Sequence, residues 1–293
     1  MSQLFQKFRR ETTRALSKHY LKTTSINFMG LKFKVPLMYG VGAGYHLITE
    51  DWMSRCLNSF MKTREGVIID IGANIGLYLL FLRALDSQRE YYGFEPNPMC
   101  NFYVLEMIRL NQFRNARIFP FALSDKRELR TLYSARPGDK MGSLHPWARD
   151  DGKRSKVYSF DLFTFTGDEF FELIKIDDIC AIKIDVEGSE LEVLQGLKQT
   201  VEKYRPYLYC EIWNLPNPEN SNYRMKFDRI AALFAFMDEL NYCALGVMPD
   251  ESLVDINSIE EFSESQSNDY IFAHKQHIEQ IKEELSLPAY SAK

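Results

Sequence analysis

A chain of 293 residues, 45% apolar and 26% charged, has room for one large domain with a full core, or at most two small ones. Its formal charge of −4 argues against a general nucleic-acid binder, which would carry a basic face and a high pI. No run of about 18 apolar residues is present to span a membrane, and no secretory signal is recognised. A cytoplasmic location is therefore expected, and the five scattered cysteines, with no C-x-x-C pair, suit buried free thiols.

In chain order, Met1 to Lys22 reads as a basic amphipathic helix. Leu4, Phe5, Phe8, Ala15, Leu16 and Tyr20 recur at helical spacing, and six Lys or Arg stand against one Glu. Its apolar stripe suits packing on the domain, a partner contact, or weak contact of residues 1–22 with an anionic membrane surface. A short strand, "LKFKVPLMYG", a glycine-bearing turn and a helix from Glu50 to Met61 complete an N-terminal helical or lid extension over residues 1–62.

From Gly66 onward strands and helices alternate. "VIID" is a buried strand, followed by a helix from Gly76 to Leu85. "EYYGFEP" is a second strand, followed by a helix from Pro98 to Leu110, and "ARIFPFAL" is a third. "ELRTLYS" and "SKVYSFDLF" read as a hairpin or small sheet around a polar loop. Then come strand "CAIKIDVE", one helix over "SELEVLQGLKQTVEKY", strand "PYLYCEIW", a helix from Arg224 to Leu240, and two closing strands, "CALGVMP" and "NDYIFAHK". Repeated β-α units mean an α/β fold with a mainly parallel sheet, and the closing pair, joined by a long loop, predicts an antiparallel edge. One domain over residues 63–275 and a helical tail over 276–293 are expected.

In such a sheet, ligands settle at the carboxyl ends of the strands. The first of these ends reads "VIIDIGANIGLY". Gly72 and Gly76 allow a tight turn and close backbone approach. The spacing is not the G-x-G-x-x-G of a dinucleotide site, and the acid Asp70 would repel a pyrophosphate. A carboxylate there suits an ammonium or sulfonium, and S-adenosylmethionine carries both. Glu95, closing the second strand in "YGFEPN", is placed to accept from two ribose hydroxyls, although such an acid serves NAD equally well.

"IIDIGANIG", "YGFEPNP", "FALSD" and "IKIDVEGSELEVLQGL", in that order, resemble the FkbM-type family of S-adenosylmethionine-dependent methyltransferases over residues 66–275. The resemblance implies a class I methyltransferase (Rossmann-like) fold, with a seven-stranded, mainly parallel sheet and an antiparallel last strand. It also implies O-methylation of a sugar, glycan or polyketide-like hydroxyl. By match to the motifs, Asp70, Gly72, Asn74 and Gly76 would contact the methionine part of the cofactor. Glu95 would take the ribose, and Pro96, Asn97 and Ala122 would lie near the adenine.

An alcohol acceptor needs a general base. In "KIDVEGSE", Lys183 and Asp185 share one side of a strand, Asp185 stands at its carboxyl end, and Glu187 follows in the loop. With Glu211, these residues, Lys183 included, are candidates for catalysis, and the acids among them for a divalent cation held by oxygen ligands. His145, in "GSLHPW", could assist proton removal, since an imidazole titrates near neutrality, and Trp147 or Trp213 could stack on a sugar. An amine acceptor, and a non-catalytic cofactor-binding subunit, fit the same motifs.

Overall fold

The computed structural model describes residues 22–38, 52–135, 141–149, 158–248, 250–265 and 267–286. Apart from Lys22, the basic helix expected over residues 1–22 lies outside these residues, and so does the glycine-bearing turn after Met38. The described residues begin with a hairpin of β1 (Lys22–Phe28) and β2 (Leu31–Leu37), and α1 (Trp52–Thr63) comes later. The strand β1 escapes the sequence reading because "KTTSINF" carries few apolar residues.

The β-α alternation follows: β3 (Val67–Ile71), α2 (Leu77–Leu85), β4 (Tyr91–Phe94), α3 (Pro98–Asn111) and β5 (Ala116–Phe119). Next come β6 (Ala122–Leu123), β7 (Glu128–Ser134), β8 (Tyr158–Phe165) and α4 (Gly167–Ile174). The chain continues through β9 (Ile179–Ile184), α5 (Glu190–Gln195), α6 (Lys198–Tyr204), β10 (Tyr207–Glu211) and α7 (Tyr223–Glu239). It closes with β11 (Tyr242–Val247), β12 (Leu253–Ile256), α8 (Ile259–Ser265), β13 (Asp269–His274) and α9 (Ile278–Ser286).

The main sheet runs β12-β11-β13-β10-β9-β3-β4-β5. Strands β3, β4, β5, β9 and β10 pair in parallel, while β13 is antiparallel to both β10 and β11. The antiparallel last strand is as expected, but the sheet has eight strands, not seven. The extra one, β12, pairs with β11 within the stretch expected to be a plain loop, and α8 follows it.

Both faces of the sheet are covered, which is why its central strands β3 and β9 are apolar except at Asp70 and Lys183. Ile68 packs into one layer with α1, α2, α3 and α9 (Phe60, Phe81, Tyr103, Ile281), and its neighbour Ile69 packs into the other with Val193, Leu233 and Phe262. The hairpin docks on the first layer. Phe28 lies 4.9 Å from Phe81, Phe33 lies 6.0 Å from Phe113, and the Asn111 side chain bonds both backbone groups of Lys34.

Two expected elements are each broken in two. "ARIFPFAL" leaves the main sheet at Pro120, which has no amide to donate, and β6 joins β7 and β8 in a separate three-stranded sheet. The helix after β9 breaks at Gly196, where a Cβ would come within 1.9 Å of the Ser124 carbonyl oxygen. The helix α4, capped by Thr166 Oγ1 accepting from the Glu169 amide, is an addition. No helix among the described residues is long and apolar enough to cross a membrane.

Candidate active site

The carboxyl ends of β3, β4 and β9 converge on one pocket. The Asp185 amide donates to the Ile71 carbonyl (3.0 Å), and the Gly72 amide to the Phe94 carbonyl (2.9 Å). Gly72 has φ +81°, and a Cβ there would lie 1.8 Å from the Asp185 carbonyl oxygen, so only glycine lets the first turn meet the loop after β9. Asn74 and Glu187, in those two loops, also have left-handed backbones (φ 51° and 57°). Such conformations in non-glycine residues gather where a ligand is held.

The pocket so formed opens to solvent and holds about 630 Å³ of empty space, solvent at its mouth included. Glu95 is 7% exposed in its wall, with Oε2 accepting from the Asn74 amide and Oε1 from the Asn97 amide, each at 2.7 Å. Burial pushes this carboxyl up to about 7 despite the two amide donors, which pull the other way. A carboxylate offers about four acceptor positions, so each oxygen keeps room for one further donor. Beyond Glu95 the wall turns apolar, with Phe94, Pro96, Ala122 and Leu123 joined by Leu132 and Leu144. Across from it, Asp185, Glu187 and Ser189 are polar. Ser189 Oγ is buried and has no hydrogen-bond partner among the described residues.

The sequence matches the methyltransferase FkbM domain over residues 70–243. The chain belongs to this family. Among curated relatives, it is 27% identical over 169 residues to the 2-O-methyltransferase NoeI of Sinorhizobium fredii, covering 54% of this chain and 67% of that protein. It is 28% identical over 185 residues to the 31-O-demethyl-FK506 methyltransferase FkbM of Streptomyces tacrolimicus, covering 54% of this chain and 70% of that protein. The protein is thus a methyltransferase, and its pocket fits S-adenosylmethionine. Glu95 suits the paired ribose hydroxyls, the apolar wall suits the adenine, and the orphaned Ser189 hydroxyl awaits a polar ligand atom.

Within this FkbM-type site, Gly72, Asn74, Glu95, Pro96, Asn97 and Ala122 all line the pocket, as do Asp185 and Glu187. Asn97 does so while its side chain caps α3, accepting from the Met99 amide. Two expected cofactor contacts are placed otherwise. Gly76 (φ +80°) is the N-cap of α2, where a Cβ would meet Met107 at 2.5 Å. Asp70 lies below the pocket floor, fully buried, accepting from Tyr91 Oη at 2.6 Å and 3.3 Å from Lys183 Nζ. Burial raises its pKa, against the pull of Lys183 and Tyr91.

Lys183 is also beneath the floor. Its ammonium donates to the Gly72 carbonyl and to Asp185 Oδ2, both at 3.2 Å, tying the first turn to the loop after β9. Burial alone would lower its pKa, but Asp185 and Asp70 outweigh it and hold the ammonium charged. The other oxygen of Asp185 accepts no hydrogen bond from a described residue. Glu211 stands outside the pocket lining. Burial, with the charges of Asp185 and Asp269, pushes it up to about 7. The acids do not assemble a cation site, for among the described residues no group of three or more His, Cys, Asp or Glu is arranged to hold a metal ion.

His145 is not among the residues lining this pocket. It stacks on Trp147 (5.0 Å), with Nε2 3.6 Å from Glu192 Oε1 and 3.5 Å from the Arg229 guanidinium. Arg229 is bound in turn by Glu192 (2.7 and 2.5 Å) and by the Gly188 carbonyl (2.9 Å). Ser143 Oγ donates to the Glu187 carbonyl at 2.7 Å, so the insertion is pinned over the loop after β9. On the far side of that loop lies a second pocket of about 400 Å³, where Trp147 and Trp213 face Lys226 and Arg229. The two bases sit three apart on α7, hence on one face. That spacing was the available signal for them in the sequence.

Proposed function

We propose that the protein transfers the methyl group of S-adenosylmethionine to a hydroxyl of a sugar, glycan or polyketide-like acceptor. The observation that carries this reading is Asp185, held at the pocket wall through one carboxylate oxygen by a buried lysine, with its other oxygen accepting no hydrogen bond from a described residue. The donor supplies an electrophilic methyl carbon, whose bond to sulfur breaks as the acceptor oxygen attacks. Asp185 accepts the hydroxyl proton as that oxygen bonds to carbon, a contribution of about 10²–10⁴-fold. Gly72 and Asn74 hold the methionine end of the donor, and Glu95 fixes its ribose, so that the acceptor meets the methyl carbon in line. The oxygen chemistry in the names of the two relatives supports the same choice of atom.

The test is incubation with methyl-labelled S-adenosylmethionine and matched panels of glycan alcohols, polyketide alcohols and amines. Label on oxygen is expected, and Asp185→Asn should cut turnover by about 10²-fold or more while S-adenosylhomocysteine affinity holds. Label on nitrogen alone would overturn the reading.

A further inference from the structure

The three most exposed large apolar side chains among the described residues are Leu173 (78%), Phe163 (61%) and Leu129 (59%). They are not scattered. Leu129 on β7 stands opposite Phe163 on β8, and Phe165, two residues on, faces the same way. Phe165 lies 4.9 Å from Phe121, which lies 6.1 Å from Phe119 and 5.3 Å from Phe170 on α4. Leu173 follows Phe170 by three residues, on the same side of that helix. Phe119, Phe121, Phe165 and Phe170 are themselves only half-buried. One apolar strip thus runs over the three-stranded sheet, past β5 at the end of the main sheet, and along α4. Its inner side backs the cofactor pocket, because Phe94 in the pocket wall packs on Phe119 (5.2 Å), Phe121 (5.6 Å) and Phe170 (5.3 Å).

Single exposed leucines are ordinary, but a contiguous apolar strip marks a surface that something covers. The charges along it say what. Arg127 lies over the Phe165 ring (5.5 Å), and Arg117 over Tyr92 (5.3 Å), whose ring meets Phe119. Glu169 and Glu172 are exposed on α4, next to Phe170 and Leu173. None of these four forms an ion pair with a described residue, and Glu128, beside Arg127 in the chain, is engaged by Lys126 and Arg130. An anionic membrane would be repelled by the glutamates, and a partner of one sign would satisfy only half of the border. A copy of the same surface satisfies both halves.

We propose that this strip is a twofold interface between two copies of the chain. The apolar side chains meet at its centre, and Arg117 and Arg127 of each copy face Glu169 and Glu172 of the other. Such a pairing is independent of which atom accepts the methyl group, and it braces the cofactor wall from behind.

Sedimentation velocity of the full-length protein over a concentration series reads the association, and a species of twice the 34.3 kDa chain mass is expected. Phe163→Asp and Leu173→Asp should each weaken it by about tenfold or more, since each places an unpaired charge in the interface twice. Arg117→Glu with Arg127→Glu, and Glu169→Arg with Glu172→Arg, make two double variants. Each should be monomeric alone, where like charges meet, and the two should pair when mixed in equal amounts. All of these variants should still bind S-adenosylhomocysteine, which shows that the fold survives. A parent protein that stays monomeric throughout, an association that Phe163→Asp and Leu173→Asp leave unchanged, or double variants that pair no better mixed than alone would overturn the interface. So would a monomer that floats with phosphatidylserine vesicles, which would give the strip to a membrane, or one that pairs only once residues 1–21 are removed, which would give it to that segment.

Discussion

Lys183 sets its ammonium 3.2 Å from the Asp185 carboxylate, below the cofactor pocket and out of contact with it. The same ammonium faces Asp70 at 3.3 Å, in a part of the core that Asp70 shares with no solvent. Three residues read in the sequence as ligand contacts or catalysts thus divide their labour. Asp185 meets the pocket, Lys183 orients it, and Asp70 balances Lys183.

Replacing Lys183 by Met should therefore cost more than a surface lysine would. Removing one member of a buried ion pair leaves an uncompensated charge, and about 3–5 kcal/mol of stability is expected to go with it. Urea unfolding measures this. Asp70→Asn, which leaves Lys183 its bond to Asp185, should cost less. Equal stability of Lys183→Met and the parent protein would mean that the pairing does not hold the site together.

Gly72 offers a sharper geometric test. Alanine there meets two penalties: a left-handed backbone, and a Cβ 1.8 Å from the Asp185 carbonyl oxygen. Gly72→Ala should destabilise by about 2–4 kcal/mol and abolish measurable S-adenosylhomocysteine binding, because the loop after β9 must move. Gly30, in the hairpin turn, is the control. Its φ of +78° is similar, but nothing lies within 4 Å of its added Cβ, so Gly30→Ala should cost only about 1 kcal/mol and leave binding intact. Similar effects at both glycines in urea unfolding would contradict the contact.

These cases show what a sequence carries. Strands buried on both faces, such as β3 and β9, are legible because they are apolar except at Asp70 and Lys183. Glu95 and Asp185 are legible because strand ends in this fold face the ligand. Depth is not written there: Asp70 and Asp185 both end strands, yet one lies under the floor and the other in the wall. The partners of His145 are also hidden, since Glu192 and Arg229 reach it from different helices across 47 and 84 residues of chain. Short elements such as β12 and α8 lack the length for a periodicity to show.

The Glu192 cluster makes a stability prediction with a defined pH window. Burial would raise this carboxyl, but hydrogen bonds from His145 and Arg229 outweigh it and hold it down at about 2. An unfolded glutamate titrates near ~4.3. With its folded pKa depressed, Glu192 contributes stability above the unfolded value and loses it as pH falls through the folded one. Glu192→Gln should therefore be less stable than the parent by about 1.5–3 kcal/mol at neutral pH, the range for hydrogen bonds to a charged group. The gap should close as pH drops from about 4.5 towards 2. Urea midpoints measured for both proteins across that range decide it, and a gap that stays constant would remove the charge from the explanation.

Glu95 carries the last prediction, in which binding and protonation are linked. Its folded pKa of about 7 lies above the ordinary glutamate value, so its contribution to the stability of the free protein is full at low pH and is lost as pH rises through about 7. Donors from a ribose reverse the balance, because two hydroxyls bond better to the carboxylate than to the acid. S-adenosylhomocysteine should consequently bind more tightly at pH 8 than at pH 6, with release of a proton on the acid side. Glu190 and Glu211 are also pushed up to about 7, so the wild-type curve alone does not assign the effect. Glu95→Gln isolates it: the amide keeps the shape of the side chain but cannot ionise. Its affinity should be lower by about 1.5–3 kcal/mol at pH 8, and the part of the pH dependence due to Glu95 should vanish. Calorimetry in two buffers of different ionisation enthalpy reads both the affinity and the proton count. An identical pH dependence in Glu95→Gln and the parent would show that the ribose is held elsewhere.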